Sequence, residues 1–500
     1  MWKLKFGEGA SNPLLRSSNG FLGRETWEFD PNGGSPEEHA VVERLRRDFT
    51  RNRFTQRDKH EVSNLKDSSE VTEEVLLTSL RRVLDQYSSL QAPDGYWPGG
   101  YSGILFILPL MNEDGGWSTH TLGPSSMFGS CVNYATLRLL GEVLDEHNDG
   151  LSKGRAWILS HGSATVAPQW AKIYLSGTIQ LFQNYGCFHI FFPFIQVLNM
   201  ICCWIENPNS NAFRRHLPRI HDFLWLAEDG MKSKAVLLLS KIPPTEVGDP
   251  IQEQRLYDAI DCLLSYVNKD GTLSSAESKR TTPWVEFINP SESFRNIIVD
   301  YPYVECTSSL IQALILFKGV HPGYRREEID RIIKNGVLFI EKKQKNDGSW
   351  YGSWAVCFTY ATFFAIKGLV AAGRTFQNSL SIRKACNFLL SKQLSTGGWG
   401  EDYLGCQVEE YIDSGRPHVV HTAWGMLGLI YAGQVELDPA PLYRAAKELI
   451  NMQLETGEFP QQEILGSFNS SLFFNYTNYR NLFPIWALGE FHRRLLAKRA

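Results

Sequence analysis

One phrase, Gln-x-x-x-Gly-x-aromatic, recurs along the chain, and three of its copies fall where a helical pattern ends. These run from Gln344 through Gly348 to Trp350, from Gln393 through Gly397 to Trp399, and from Gln453 through Gly457 to Phe459. A fourth, Gln91 to Trp97, lies in the N-terminal half. Met111–Trp117 and Val267–Leu273 are degenerate copies. Self-similarity of this kind marks a repeat architecture. The local physics is a helix stop. A glutamine in the last turn meets carbonyls that lack partners, and its amide can donate to them. The glycine supplies the turn. The aromatic then folds back over it. Such a unit is expected to pin one outer helix to the next; it is a stability device and carries no chemistry.

Two kinds of helix alternate between these turns. The helices predicted over 328–344, 382–393 and 440–453 are amphipathic, each with one apolar stripe such as Ile329, Ile332, Ile333, Val337 and Ile340. Asp438 and Pro439 are N-terminal signals for the last of them. Cys306–Phe317, Thr359–Ala372 and Thr422–Ala432 are apolar nearly all round, and Gly373 and Gly433 follow two of them as caps. A helix apolar on every side is buried on every side. The alternation predicts two concentric rings: an all-α chain, with an α/α barrel (toroid) over 233–500 and its turns outside. No stretch sustains period-2 alternation, so sheets are expected to be minor. Residues 1–35 read as an extended Gly/Asn/Ser-rich arm and 36–89 as charged helices. The division is 1–85 for arm and charged helices, 86–232 for an incomplete N-terminal domain, and 233–500 for the barrel.

Composition narrows the function. The 500 residues carry a net charge of −4, which argues against a nucleic-acid partner needing a basic face. Nine cysteines without a CxxC pair give neither a disulfide framework nor a zinc finger, and fit a reducing compartment. Met1–Gly7 lacks the apolar core of a signal peptide. The most apolar run, Phe188–Ile205, includes His189, Pro193, Gln196 and Asn199; these residues favour a buried helix, then a membrane-surface element, over a span. Aromatic residues make up 12% of the chain, with 14 Trp, 29 Phe and 19 Tyr.

The repeats resemble the QW motifs of squalene and oxidosqualene cyclases. Trp27–Asp30, Asn112–Trp117, Leu217–Asp222, Tyr301–Thr307, Tyr351–Tyr360 and Tyr479–Gly489 look like the corresponding phrases of plant triterpene synthases. The resemblance covers nearly the whole chain. It implies a terpene cyclase/mutase (an isomerase) that folds 2,3-oxidosqualene in a cavity of two α/α-barrel domains. No cofactor and no metal is implied. An aspartic acid would protonate the epoxide, and a carbocation would run through ring closures. Such a cation needs negative potential without a nucleophile, and aromatic faces supply it. By resemblance, Cys306 supports the acid, and Trp354, Phe468 and Tyr476 line the cavity; as plain core residues they are equally ordinary. The resemblance also implies a membrane or lipid-droplet surface as partner, on the cytosolic face of the endoplasmic reticulum or of a droplet.

The chain departs from that pattern where chemistry should sit. The family's acid lies in an Asp-Cys-Thr-Ala-Glu motif, and none is present. Ala227–Lys232 is joined by Ser233 directly to Lys234–Lys241, where the acid-bearing segment should intervene. A Trp-Cys-His/Tyr stretch is missing between Leu175 and Val197, and a helix and turn are missing near Met111. Ala276 stands where the family has a tyrosine. Asp229, Asp300 and Glu305 are not in an acid motif, and the last two are expected to be capping or solvated groups. The chain is therefore expected to be an internally shortened and inactive oxidosqualene cyclase. The alternatives are a lipid- or partner-binding remnant, and another α/α-barrel isoprenoid enzyme. A prenyltransferase would need a zinc site, and a class II diterpene cyclase a DxDD motif, which is absent.

Overall fold

A computed structural model describes residues 2–8, 22–23, 25–29, 33–52, 61–89, 111–118, 123–139, 149–167, 251–275, 279, 282–288, 295–296 and 299–499. The repeat at Gln91–Trp97, the apolar run Phe188–Ile205, Asp229, the 232–233 junction and Ala276 lie outside them. The described residues are mainly helical. Strands β1 (Trp2–Phe6) and β2 (Glu25–Phe29) pair antiparallel, Trp2 opposite Phe29. Within the arm these two strands form a ribbon, and Phe6 explains its docking, being buried with Leu256, Ile260 and Leu263 of a later helix. Helices α1 (Pro36–Asn52) and α2 (Glu73–Ser89) follow, then α3 (Met127–Leu139) and α4 (Asp149–Ser160), which pack together.

From residue 251 the two rings are plain. The outer helices are α5 (Glu253–Ser265), α7 (Arg326–Lys343), α9 (Leu380–Lys392) and α11 (Ala440–Met452). The inner helices are α6 (Val304–Val320), α8 (Phe358–Ala371), α10 (Val419–Tyr431) and α12 (Tyr479–Arg499). Inner helices pack in order, α6 on α8, α8 on α10, α10 on α12. In α9 the buried residues Ile382, Ala385, Cys386, Phe388 and Leu389 form one stripe. In α8 nearly every residue from Phe358 to Ala365 is buried. Gly373 and Gly433 take φ of +85° and +91° at the ends of α8 and α10, as the caps required.

The repeat turn does more than stop a helix. Gln344, Gln393 and Gln453 are C-cap residues in extended conformation. Their amides do not donate to the last carbonyls of their own helices, as the sequence suggested. Each donates to the glycine carbonyl of its own turn and to a carbonyl of the next outer helix. Gln344 Nε2 reaches Gly348 O and Ser381 O, both at 2.9 Å. Gln393 Nε2 reaches Gly397 O and Pro441 O, both at 2.8 Å. Gln453 Nε2 reaches Gly457 O at 2.7 Å and Ser79 O at 3.1 Å. The tryptophan serves the preceding helix instead: Trp350 Nε1 donates to Ile340 O and Trp399 Nε1 to Leu389 O, at 2.7 Å. The ring is then buried completely, and Gly425 on α10 leaves it room, since a Cβ there would lie 2.6 Å from the Trp399 ring.

The Ser79 contact places α2 next after α11 in the outer ring, although 350 residues separate them in sequence. α2 also packs on α12. The order of outer helices is α5, α7, α9, α11, α2. The degenerate copies make the same turn: Gly271 and Gly115 take φ of +83° and +87°. Val267 has no amide to send onward, and the turn relies on Gly271 seated against Asn335 and Ile332 of α7.

Candidate functional site

Each inner helix holds the aromatic turn residue by a polar side chain that the sequence reading passed over. The backbone N–H of Trp350 donates to Thr362 Oγ1 at 3.3 Å, and that of Trp399 to Thr422 Oγ1 at 3.0 Å. Leu273 uses Thr307, Phe459 uses Asn481, and Trp117 uses Ser130. The available signal was a hydroxyl or amide in the first turns of an otherwise apolar helix.

This scaffold fixes residues 351–357, which carry Trp354, between two buried carboxylates. Glu305 Oε1, from α6, accepts the N–H of Ser353 at 2.6 Å and of Trp354 at 3.4 Å. Glu401, from the next turn, accepts the N–H groups of Cys357 and Phe358 at 2.8 Å and of Thr359 at 3.0 Å. That arrangement caps α8 with an acceptor for its orphan donors. The third support is a hairpin, β3 (Gly466–Phe468) and β4 (Leu472–Phe474). Its three-residue loop, 469–471, opens with Asn469 and Ser470 at φ of +46° and +59°, and Ser471 N donates to Phe468 O. Ser467 N donates to Trp354 O and Asn469 N to Ser353 O, so the loop lies along the hairpin.

Trp354, Phe468 and Tyr476 are thereby brought together. The rings of Trp354 and Phe468 meet edge to face at 5.2 Å, and Tyr476 Oη donates to Trp354 O at 3.3 Å. All three are half-buried. Cys306, the third residue of α6, is buried beside them. Its thiol is pushed well up by burial and then by Glu305 and Asp300, while Trp354 pulls the other way. The indole Nε1 of Trp354 makes no hydrogen bond of good geometry among the described residues, so its influence on the thiol is one of proximity. Tyr303 was not anticipated. It is buried, accepts from Asn469 Nδ2 at 3.2 Å, and sets its ring 6.0 Å from that of Trp354.

Asp300 and Glu305 are not solvated groups. Asp300 is buried, has φ of +50°, and accepts from Ser275 N and Oγ at 3.2 and 2.7 Å. Glu305 is 4% exposed, and burial raises its carboxyl above the ordinary value despite backbone donors, its own N–H and those of Ser353 and Trp354. Its Oε2 has no partner among the described residues. A cavity of about 330 Å³ adjoins this region; its lining includes Tyr301, Tyr303, Glu305 and Asn469 together with the cations Arg295, Lys343 and Lys345. Among the described residues no group of three or more His, Cys, Asp or Glu side chains is placed to hold a metal ion.

Concentric helices tied by these turns, around a loop-borne aromatic cluster, define an α/α toroid of the terpene-cyclase kind. The comparisons give the family. Residues 234–493 match the squalene-hopene cyclase C-terminal domain and residues 105–187 its N-terminal domain. The chain belongs to this family of triterpene (oxidosqualene) cyclases, an isomerase family. It is 29% identical to the alpha-onocerin synthase LCD of Lycopodium clavatum over 762 positions, covering 100% of both chains. It is 27% identical to the lanosterol synthase of Mus musculus, over 81% of this chain and 87% of that one. The lanosterol synthase of Saccharomyces cerevisiae is 41% identical over 52% of this chain and 36% of its own length. The first alignment extends over 762 positions against the 500 residues of this chain, so long gaps open within it.

Proposed function

We propose that the chain binds 2,3-oxidosqualene, or a polyene of the same class, against Trp354, Phe468 and Tyr476, and does not cyclise it. The observation that carries this is the aromatic cluster itself: three half-buried rings held by two carboxylates and a hairpin, with Cys306 beside them. Such faces stabilise a passing cation and pack a polyene. Cyclisation also needs a positioned acid, which typically contributes ~10²–10⁴-fold. The acid-bearing segment is missing between Lys232 and Ser233, and the wall it would have built is missing with it, so water enters. The gaps in the onocerin synthase alignment support that reading. Division at residue 233 into a shortened N-terminal domain and a C-terminal barrel belongs to the same proposal.

Docking on a membrane or lipid droplet through the Phe188–Ile205 run is part of this reading. Among the described residues no helix is long and apolar enough to cross a membrane. The test is expression in a yeast strain that accumulates oxidosqualene, with mass spectrometry of the lipids and fractionation of the cells. Bound oxidosqualene without cyclised alcohol, in the membrane or droplet fraction, is expected. A tetracyclic or pentacyclic alcohol that disappears on Trp354→Ala refutes inactivity. A chain wholly in the soluble fraction refutes docking.

A further inference from the structure

The cavity of about 330 Å³ shares no lining residue with Trp354, Phe468 or Tyr476, and its chemistry is of another kind. Three cations line it, each from a different place: Arg295 ahead of α6, Lys343 at the end of α7, and Lys345 in the turn that follows. Among the described residues their contacts are with neutral groups. Arg295 donates through Nη1 to the Ser470 hydroxyl at 3.2 Å. Lys345 Nζ donates to the Glu409 backbone carbonyl and stands 5.0 Å from the centre of the Phe358 ring. Lys343 Nζ stands 5.8 Å from that of Phe339. Elsewhere in the barrel Arg325, Arg374 and Arg480 lie against Asp261, Glu341 and Glu458. The acids in the cavity lining are Glu305 and Glu409. Oε1 of Glu305 is taken by the N–H groups of Ser353 and Trp354. Three cations thus face two carboxyls, one of them engaged by the backbone. Tyr303 and Val304 add the positive end of α6. Like charges held round one concavity repel, and its walls focus their field. An anion seated there relieves that repulsion.

We propose that this cavity binds a phosphate group, as free phosphate or as the monoester headgroup of a lipid. A phosphate presents three terminal oxygens to cations that come from three directions. Arg295 offers a planar fork that takes two oxygens at once, and Lys343 and Lys345 act as point charges. A carboxylate, with two oxygens, would leave one cation unanswered. Tyr301 also lines the cavity, and Lys279 Nζ stands 6.0 Å from the centre of its ring, a further cation at the edge. Glu286, whose charge reaches Tyr301, is engaged by the N–H groups of Asn296 and Val299 at 2.5 and 3.3 Å. The chemistry is one of binding, and no bond forms or breaks. The site stands apart from the aromatic cluster, so it does not depend on the polyene-binding reading.

The experiment titrates inorganic phosphate into the full chain by isothermal calorimetry, in a neutral detergent at constant ionic strength. One saturable site is expected. Arg295→Gln and Lys343→Gln should each weaken binding by about three- to tenfold, between the effect of an exposed ion pair and that of a charge-assisted hydrogen bond. The double variant should lose saturable binding. Arg331→Gln/Lys334→Gln removes the same charge from α7, about 13 Å or more from Lys343, and should bind as the wild type does. All four side chains are exposed. Should the double variant not fold, acetic anhydride footprinting of the wild type decides: phosphate should protect Lys343 and Lys345 and leave Lys334 reactive. Vesicles of phosphatidylcholine with phosphatidic acid separate the two sources. Co-sedimentation that free phosphate displaces and the double variant lacks assigns the site to a headgroup; phosphate binding without it assigns the site to a soluble phosphate. A wild type with no saturable phosphate site, binding undiminished in the folded double variant, or lysines that phosphate leaves unprotected overturns the proposal.

Discussion

Gly397→Ala tests how the rings are joined, with Gly373→Ala as its comparison. Both glycines follow a helix in the left-handed region, Gly397 at φ +107° and Gly373 at +85°. An L residue there costs about 1–2 kcal/mol. The surroundings differ. A Cβ on Gly373 meets nothing within 4 Å, whereas one on Gly397 lies 2.5 Å from Arg444 O and 2.6 Å from Arg444 C. Those are backbone atoms of α11, and they cannot swing away as the tip of a side chain would. The turn must retreat from the next outer helix, straining the 2.8 Å bond from Gln393 to Pro441 O. Overpacking of this kind adds about 1–3 kcal/mol. The expected loss is thus about 1–2 kcal/mol for Gly373→Ala and about 2–5 kcal/mol for Gly397→Ala. At ~3 °C per kcal/mol for a unit of this size, the midpoints should fall by about 3–6 °C and about 6–15 °C. Thermal unfolding followed by circular dichroism reads both. Equal falls would refute the argument that the turn is seated on its neighbour.

Thr422→Val should cost about 1–3 kcal/mol, because the buried Trp399 N–H loses its acceptor; urea titration against the wild type measures it. Glu401→Gln should destabilise by a similar amount, since its amide would face the donors of Thr359, and faster amide exchange at the start of α8 would show where. Burial lowers the pKa of His418 to about 4 and takes that of His421 well below the usual value. The unfolded chain then binds protons that the folded chain refuses, so stability should decline as pH falls from about 6.5 towards 4. His418→Asn keeps a side-chain acceptor at the start of α10, where His418 Nδ1 accepts from Val420 N, and should flatten that decline in urea midpoints taken between those pH values. An unchanged slope would contradict the assignment.

Much of the fold was legible before any coordinate. The alternation of striped and wholly apolar helices marks two rings, because a stripe buries one face and an all-round apolar helix needs cover on every side. The helix ends were readable from Gln344, Gln393 and Gln453, and from Gly373 and Gly433, since caps are local. The predicted limits fall within two or three residues of α7, α8, α9, α10 and α11. The short strands β1 and β2 were missed although Trp2-Lys3-Leu4-Lys5-Phe6 alternates, because five residues are a short run and the partner strand lies about twenty residues on.

The site divides in the same way. Cys306, Trp354, Phe468 and Tyr476 were singled out as residues, and which of them meet is a matter of long-range contact. Trp354 and Phe468 are far apart in the chain and touch because the hairpin lies along the 351–357 loop, a hydrogen-bond pattern that no spacing announces. The burial of Glu305 was misread for a related reason. A glutamate at the start of a helix is ordinarily a solvated group near the helix dipole. Only the loop folded over it turns that glutamate into a dry acceptor for Ser353 and Trp354. Likewise α2 read as a charged N-terminal helix, and its place beside α11 depends on Ser79 and Arg82 meeting a turn whose sequence position is remote. Periodicity and caps act over a few residues and so can be read along the chain. Ring order, burial of a single carboxylate and the gathering of aromatic rings depend on which surfaces meet, and the folded structure alone decides that.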